Sequence, residues 1–353
     1  MREIGSEFWN IPLQSIGNDV FPPSTEWFLS GRSALLAVIK NLSGKTSIAM
    51  PSWCCESMIK PFVNAGMQVR FYPVYFKDGE VIQEVRTDCD VLFLMDYFGY
   101  TQRETRIPCL TGGQLRDTTE WNKSHPCVIR DVTHSLFSGT YSDADYYFGS
   151  LRKWCGIWTG GYAWTKQGHP LFCCDMEEKA EGKKYVSLRK QAMEEKLIYI
   201  SDETSADKGF LKIFQKAEEI LEKSGICEAD KRDIVCAEKL DVGYITSRRR
   251  ANAKILMDAF PEWIMYRTLS DSDCPMFVPV LVPGGQRDQL KRYLIENKIY
   301  CPVHWQVSKY HDLDDKTEFL YKNELSLVCD QRYTKENMYR IVDVIQGFCK
   351  GEH

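Results

Sequence analysis

No apolar run in this 353-residue sequence approaches the length that a membrane-spanning helix needs. The opening residues, Met1-Arg2-Glu3-Ile4-Gly5-Ser6-Glu7-Phe8, also lack the apolar stretch of a secretory signal. A cytoplasmic protein without membrane contact is therefore expected. Charge of either sign is not in excess: 45 basic and 49 acidic residues are mixed along the chain, for a net charge of −4. That balance gives no electrostatic footprint for nucleic acid or an anionic membrane. Internal repeats and low-complexity tracts are missing as well. The fourteen cysteines contain no C-x-x-C pair, which removes the usual grammar of a zinc site, and no metal is expected. Several lie in apolar strands, as Cys127 does before Val128-Ile129, so free buried thiols are expected rather than disulfides. The remainder, 44% hydrophobic and 27% charged, is the composition of an ordinary soluble enzyme.

The length suggests one large and one small domain. Residues 1–27 are irregular and aromatic and read as an arm laid over the body or a neighbour. An extended segment from Phe28 then reaches Ser30-Gly31-Arg32-Ser33, and Leu35, Leu36, Val38, Ile39 and Leu42 recur at helical spacing. First-turn amides of such a helix attract phosphate, although an ordinary capped core helix has the same pattern. Strands are predicted over 47–50, 69–74, 91–95, 127–130, 146–148 and 162–164, with a helix over 56–65 closed by Gly66. Near-continuous apolar strands alternating with helices predict an α/β fold with a mostly parallel central sheet covered by helices on both faces. Residues 101–126 are polar and turn-rich. Charged helices are predicted over 176–181, 187–199, 210–223 and 244–260, completing a large domain at 28–260. A smaller C-terminal α+β domain at 261–353 is expected to hold strands over 276–282, 299–303 and 325–329 and helices over 287–297 and 334–348.

In such sheets ligands gather at the carboxyl ends of the strands. There the chain places Gly31-Arg32-Ser33, Trp53, Asp96-Tyr97, Asp131 and Lys153, or at the adjoining turns. Lys153 follows the apolar strand Tyr146-Tyr147-Phe148 and the turn Gly149-Ser150-Leu151-Arg152, and Gly160-Gly161 lie behind it. A lysine held among aromatic side chains is expected to be partly desolvated, which favours its neutral, nucleophilic amine. That chemistry suits a Schiff base with a carbonyl compound or with pyridoxal phosphate. Asp131, 22 residues earlier, could keep a pyridine nitrogen protonated or simply cap a turn. His134 could donate to a phenolate oxygen or be a core histidine.

Taken together, these segments resemble the fold-type-I pyridoxal-phosphate enzymes, in particular the DegT/DnrJ/EryC1/StrS sugar aminotransferases. Ser30-Gly31-Arg32-Ser33-Ala34-Leu35 resembles the SGTxAL phosphate turn of that family, and Pro51-Ser52-Trp53 its PxYT segment. Tyr97-Phe98-Gly99 resembles the HxxG loop. Arg130-Asp131-Val132-Thr133-His134 is similar to the EDxAH/Q strand end, and Ser150-Leu151-Arg152-Lys153 with Gly160-Gly161 to the SFxxxK…GG segment. Farther on, Arg249-Arg250-Ala251-Asn252 and Tyr300-Cys301-Pro302-Val303-His304-Trp305 resemble the RRxN and IxxxxHW elements of a less-characterised branch.

The resemblance implies pyridoxal 5′-phosphate as cofactor and Lys153 as its Schiff-base lysine and proton shuttle. It implies Asp131 at the pyridinium nitrogen, His134 near the ring hydroxyl, and Gly31, Arg32, Ser33 and Ser150 on the phosphate. It further implies a homodimer with sites at its interface, where Asn252 or Arg250 would reach the partner's cofactor. The reaction implied is transfer of an amino group, from glutamate, to a keto sugar nucleotide or another small phosphorylated ketone, for surface-polysaccharide or secondary-metabolite synthesis. Retention of Lys153 favours transamination over the family's sugar dehydratases, which replace it. The sequence departs from the family where a ring-stacking aromatic is common, because Cys55 stands there and Trp53 or another residue must stack. Arg32 replaces a small residue, and His304-Trp305 either line a substrate pocket or pack. Another pyridoxal-phosphate reaction (lyase, decarboxylase or racemase) and a non-catalytic binding or regulatory protein of the same fold are the alternatives.

Overall fold

A computed structural model describes residues 2–86, 88–101, 103–106, 114–115, 126–139, 141, 143–171, 180–202 and 207–351. In chain order the elements are β1 (Ile4–Gly5), β2 (Glu26–Phe28), α1 (Gly31–Lys40), β3 (Ser47–Pro51), α2 (Glu56–Asn64), β4 (Gln68–Tyr72), β5 (Val74–Lys77), β6 (Glu80–Glu84) and β7 (Val91–Met95). Next come β8 (Arg103–Arg106), β9 (Gln114–Leu115), β10 (Cys127–Asp131), β11 (Tyr146–Ser150), β12 (Gly161–Thr165), α3 (Ala180–Ser201), α4 (Phe210–Lys223), α5 (Lys231–Glu238) and α6 (Val242–Ala259). The last are β13 (Phe277–Leu281), α7 (Arg287–Glu296), β14 (Ile299–Tyr300), α8 (Asp315–Asn323), β15 (Glu324–Val328) and α9 (Lys335–Lys350). Two compact units divide the chain, each assembled from separated segments.

The first unit comprises Met1–Arg2, Glu7–Ser43 and Tyr146–Val242. Its strands β2, β12 and β11 are antiparallel, with Gly161 opposite Phe28 and Gly149 opposite Tyr162. Helix α1 lies on β11 and β12 through Ala34, Leu35, Ala37 and Val38, the stripe that its 3.6-residue period presents. Ser30 caps it, accepting from the Ser33 N–H at 3.1 Å. Helices α3 and α4 pack as a pair, with Ala192, Met193, Tyr199, Phe210 and Phe214 in one apolar cluster. Leu29, Tyr185, Ala217, Leu221 and Cys227 form another. The N-terminal segment runs along α5: Gln14 N–H donates to Lys239 O, and Asn18 Nδ2 to Ala237 O.

The second unit comprises Glu3–Ser6, Gly44–Asp145 and Gly243–His353. Strands β10, β7, β3 and β4 are neighbours in that order and all parallel. Every residue of β7, Val91-Leu92-Phe93-Leu94-Met95, is buried, as expected of a strand covered on both faces. Beyond its pairing with β3, the central strand β7 is satisfied by side chains: Tyr72 Oη donates to Phe93 O (2.7 Å) and Gln83 Nε2 to Met95 O (3.1 Å). A smaller sheet, β5-β6-β8-β9, and an antiparallel pair, β13-β15, complete the strands with the short parallel pair β1-β14.

Several differences from expectation have local causes. The strand predicted over 69–74 breaks into β4 and β5 at Pro73, whose ring nitrogen has no hydrogen to donate to a ladder. The separate helices at 187–199 and before it are one helix, α3, from Ala180; the expected segment 176–179 lies outside the described residues, as does most of 101–126. Helices α5 and α8 had no clear apolar stripe in the sequence. Side-chain caps start both: Asp230 accepts from Arg232 N, and Asp314 from Lys316 N and Thr317 N. Thr317 of α8 then reaches the sheet, donating to Val74 O at 2.9 Å and meeting Ser52 Oγ at 2.8 Å.

The carboxyl ends of β7 and β10 are joined by Arg130. Its guanidinium, 3% exposed, donates to Asp96 at 2.8 Å and also holds Asp143. Asp96, fully enclosed, takes a further bond from Ser135 Oγ at 2.7 Å. Removing the cation would strand a buried carboxylate, so Arg130→Met is expected to lower the unfolding free energy by about 3–5 kcal/mol. Urea denaturation checks this, and Asp96→Asn added to that variant should recover part of the loss.

Candidate active site

In the first unit the phosphate-turn and lysine-turn residues form one locus. A Cβ at Gly31 would come 3.0 Å from Cβ of Ser150 and 3.2 Å from the carbonyl oxygen of Gly149. The start of α1 therefore lies directly against the end of β11. Gly161 makes this contact possible from below, because a Cβ there would stand 2.0 Å from the Ser30 carbonyl oxygen. Ser33 gives its hydroxyl to Gly225 O at 2.9 Å and its N–H to Ser30, so the amides of Gly31 and Arg32 are the first-turn donors beyond that cap. Those amides, the half-buried Arg32 guanidinium and the Ser150 hydroxyl are a donor set that fits a phosphate.

A single 3₁₀ turn, Leu151–Lys153, follows β11. Leu151 and Trp154 take its buried positions, and Lys153 is exposed. This corrects the expectation of a lysine desolvated among aromatic side chains: those rings point into the unit, and Lys153 is on the other side of the turn. The turn is braced from behind. Arg152 binds the Tyr185 hydroxyl of α3 and, at 3.0 Å, Glu218 of α4, while the buried Arg189 holds Glu7 at 3.0 Å. Partial desolvation would raise the Glu7 carboxyl, whose side chain is 44% exposed, but the Arg189 and Arg152 guanidiniums outweigh it and hold the group below the usual range. Behind Gly160, Thr159 is fixed by Asp233, which accepts from its N–H (2.8 Å) and hydroxyl (2.7 Å).

In the second unit, Asp131 ends β10 with 1% exposure and accepts the Thr133 N–H at 2.8 Å, closing the turn that leads to His134. His134 is buried among rings: Trp305 stacks on it (5.8 Å, 25°), Phe98 tilts against it, and His304 meets it edge to face at 5.3 Å. Trp53 has no exposed surface. It stacks on Tyr97 at 4.8 Å and gives its indole N–H to the His304 carbonyl at 2.7 Å, so its ring is committed within the unit. The half-buried Trp305 is the indole with free surface beside His134. Of His304-Trp305, which the sequence left between pocket and packing, His304 is enclosed and Trp305 is half-buried beside the cluster.

The RRxN segment in α6 is tied to its own unit. Asn252 donates to the carbonyls of Cys329, Asp330 and Tyr333, Arg249 to Pro275 O, Met276 O and Gln331, and Arg250 to Asp273 O. Asn252, with 1% exposure, thus locks loops together. Cys54 is buried, and its thiol is pushed well up by burial, by Cys55 and by Asp131, which leaves it an inert hydrophobe. Signals for Ser326 and Glu324, which meet His304, were missing from the sequence because both lie in a strand whose other residues are apolar.

No family model matches this sequence, and no curated protein does. Solved structures match over almost the whole chain: it has the α/β fold of the fold-type-I sugar aminotransferases. A DegT/DnrJ/EryC1/StrS aminotransferase from Brucella abortus superposes with a TM-score of 0.57 at 14% identity, covering 92% of this chain and 85% of that one. PseC of Helicobacter pylori, an aminotransferase involved in pseudoaminic acid biosynthesis, gives 0.58 at 13% identity over 97% and 98%. DesV of S. venezuelae, in complex with a ketimine intermediate, gives 0.59 at 12% identity over 92% and 84%.

Elsewhere in the second unit, His311 stacks on Phe71 at 5.7 Å. Its Nδ1 accepts the Ser308 N–H at 2.9 Å, and Nε2 lies 3.1 Å from Cys54 O, so the neutral Nε2–H form satisfies both partners. Burial lowers its pKa from the ordinary value against the opposing pull of these backbone bonds. The unfolded chain then binds the proton first, so this contribution to stability is lost as pH falls through the unfolded value near ~6.5. Wild type is expected to lose more melting temperature than His311→Asn between pH 7.5 and 5.5, by scanning calorimetry at about these two values.

Proposed function

We propose that this protein is a pyridoxal-phosphate-dependent aminotransferase that delivers an amino group to a keto sugar nucleotide or another small phosphorylated ketone. The observation that carries the reading is the placement of Lys153 one short turn beyond Ser150, which itself abuts the phosphate-type start of α1. A lysine, an anion cradle and a buried strand-end carboxylate are the groups this chemistry requires, and they occur here on the fold shared with sugar aminotransferases. The donor in this proposal is glutamate, and the working unit is a homodimer, in which a second copy would cover the exposed Lys153. Products destined for surface polysaccharides or secondary metabolites fit the reading.

The cofactor, when bound, supplies an aldehyde that holds an amine and a ring that draws electrons from the adjoining carbon. The chain's own residues divide the remaining work. The Gly31 and Arg32 amides, the Arg32 guanidinium and Ser150 bind the phosphate. Asp131 would hold a proton on the ring nitrogen, and His134 would donate to the ring hydroxyl oxygen. Lys153 Nζ would take the proton from the substrate carbon and return it. Trp305 offers the exposed aromatic face beside His134, while Trp53 and Asn252 support the frame.

The test is direct. Protein mixed with pyridoxal phosphate should develop a visible absorption band that borohydride bleaches, leaving a pyridoxyl group that peptide mass spectrometry finds on Lys153. Lys153→Ala should lose the fixed group altogether, and glutamate should convert the wild-type band to the amine form. A protein that stays colourless would sink the proposal.

A further inference from the structure

The turn that carries Lys153 is held through Arg152, the residue before it, and Arg152 has to share its carboxylate. Its mostly buried guanidinium binds the Tyr185 hydroxyl and, through Nη1, Glu218 Oε1 at 3.0 Å. The same Glu218 oxygen lies 4.0 Å from Nη1 of Arg189, which follows Tyr185 by one turn of α3 and is 1% exposed. Two guanidiniums thus face one carboxylate. Glu7, from the N-terminal segment, removes the competition by pairing with Arg189 at 3.0 Å. Its field reaches Arg152 as well: burial, foremost, works against that cation, and Tyr185, Glu218 and Glu7 more than offset it.

A buried guanidinium is costly to leave without a carboxylate. Were Glu7 neutral, Glu218 would have only to close from 4.0 Å to hydrogen-bond distance to serve Arg189 in its place. What Arg189 gained, Arg152 would lose. Glu218 is 44% exposed, so water screens both pairs and the change loosens the turn without unfolding it.

Backbone contacts keep Glu7 within reach. On one side Lys196, with no exposed surface, donates to the Glu7 carbonyl at 2.5 Å and lies 5.0 Å over the Trp9 ring. On the other, Gly156, just past Lys153, gives its N–H to Asn10 O at 2.7 Å. A Cβ at Gly156 would stand 2.5 Å from Asn10 N and 2.7 Å from the Trp9 carbonyl carbon, so only glycine lets the segment lie this close to the lysine turn.

We propose that Glu7 is a positioning residue for Lys153: by occupying Arg189 it leaves Glu218 to Arg152, and the N-terminal segment thereby sets the lysine turn. The importance of Lys153 rests on the aminotransferase reading, which this deepens; the brace itself does not.

The experiment is hydrogen exchange, followed by mass spectrometry, on cofactor-free, full-length protein. The reporters are the Leu151 and Trp154 amides, which donate to Gly160 O at 2.7 Å and to Leu151 O at 2.9 Å. Glu7→Gln is expected to speed their exchange about fivefold. Adding Arg189→Met should return it close to the wild-type rate, because Glu218 then has one guanidinium to serve. A segment that merely packs on the turn gives no such recovery. Glu218→Gln should loosen the turn at least as much, and Glu7→Gln should add nothing in that background. Exchange unchanged in Glu7→Gln, no recovery with Arg189→Met, or additive loosening with Glu218→Gln would each overturn the proposal. Should the Arg189→Met variant not fold, the Glu7→Gln and Glu218→Gln comparison decides alone. In protein that takes up pyridoxal phosphate, borohydride trapping on Lys153 should slow in Glu7→Gln and recover with Arg189→Met; a loosened turn with unchanged trapping overturns the positioning role. Because the exchange is measured without cofactor, a failed brace leaves the proposed reaction standing, and a colourless protein leaves the brace standing.

Discussion

A guanidinium enclosed between two carboxylates fixes where everything else in the second unit can be. Arg130 cannot be buried unless Asp96 and Asp143 accompany it, and those partners come from the end of β7 and from the loop before β11. Once the three meet, the ends of two adjacent parallel strands are level, Ser135 is drawn to Asp96, and the intervening turn has to pass through Asp131 and His134. The position of His134 is thus a consequence of charge satisfaction two residues on either side of the turn. The Phe98 amide meets its Nδ1, leaving β7 in a backbone conformation that few aromatic residues adopt.

The first unit reaches its geometry by sterics instead. Helix α1 approaches β11 and β12 until backbone meets backbone at Gly31 and Gly161, where a single methyl group would not fit. The charges lie farther back, where Arg152 and Arg189 bind Glu218, Tyr185 and Glu7 and stiffen the turn that carries Lys153. Close packing sets the distance between the helix start and the lysine turn, and ion pairs hold the turn's orientation. The two kinds of constraint are separable, since one acts on Cβ atoms and the other on side-chain termini.

Much of this was legible in the residue order. Strands β3, β7, β10, β11 and β12 were visible as short apolar runs, because a strand covered on both faces has to be apolar at every position. Helix α1 was visible because Ser30 caps a clean 3.6-residue stripe. Helices α5 and α8 were not, since each is short and amphipathic only against partners distant in sequence; α8 is held by Thr317 reaching Val74 and Ser52. Among the site residues, Lys153, Asp131 and His134 stood out as polar groups at the ends of apolar runs. Trp53 stood out by its strand-end place and Asn252 through the RRxN resemblance, yet both prove to be bonded within the unit.

The sequence by itself determined which strands are buried, where the helix with the phosphate-type turn begins, and which lysine follows the glycine-guarded strand. These are local matters of period, cap and turn, readable within a dozen residues. Tertiary structure alone decided that Lys153 faces outward, that Trp305 rather than Trp53 keeps an open aromatic face, and that a glutamate 20 residues after His304 sits behind its ring. The physical reason is that exposure, stacking and hydrogen bonding depend on which groups arrive from elsewhere in the chain. No residue's own neighbours in sequence fix that.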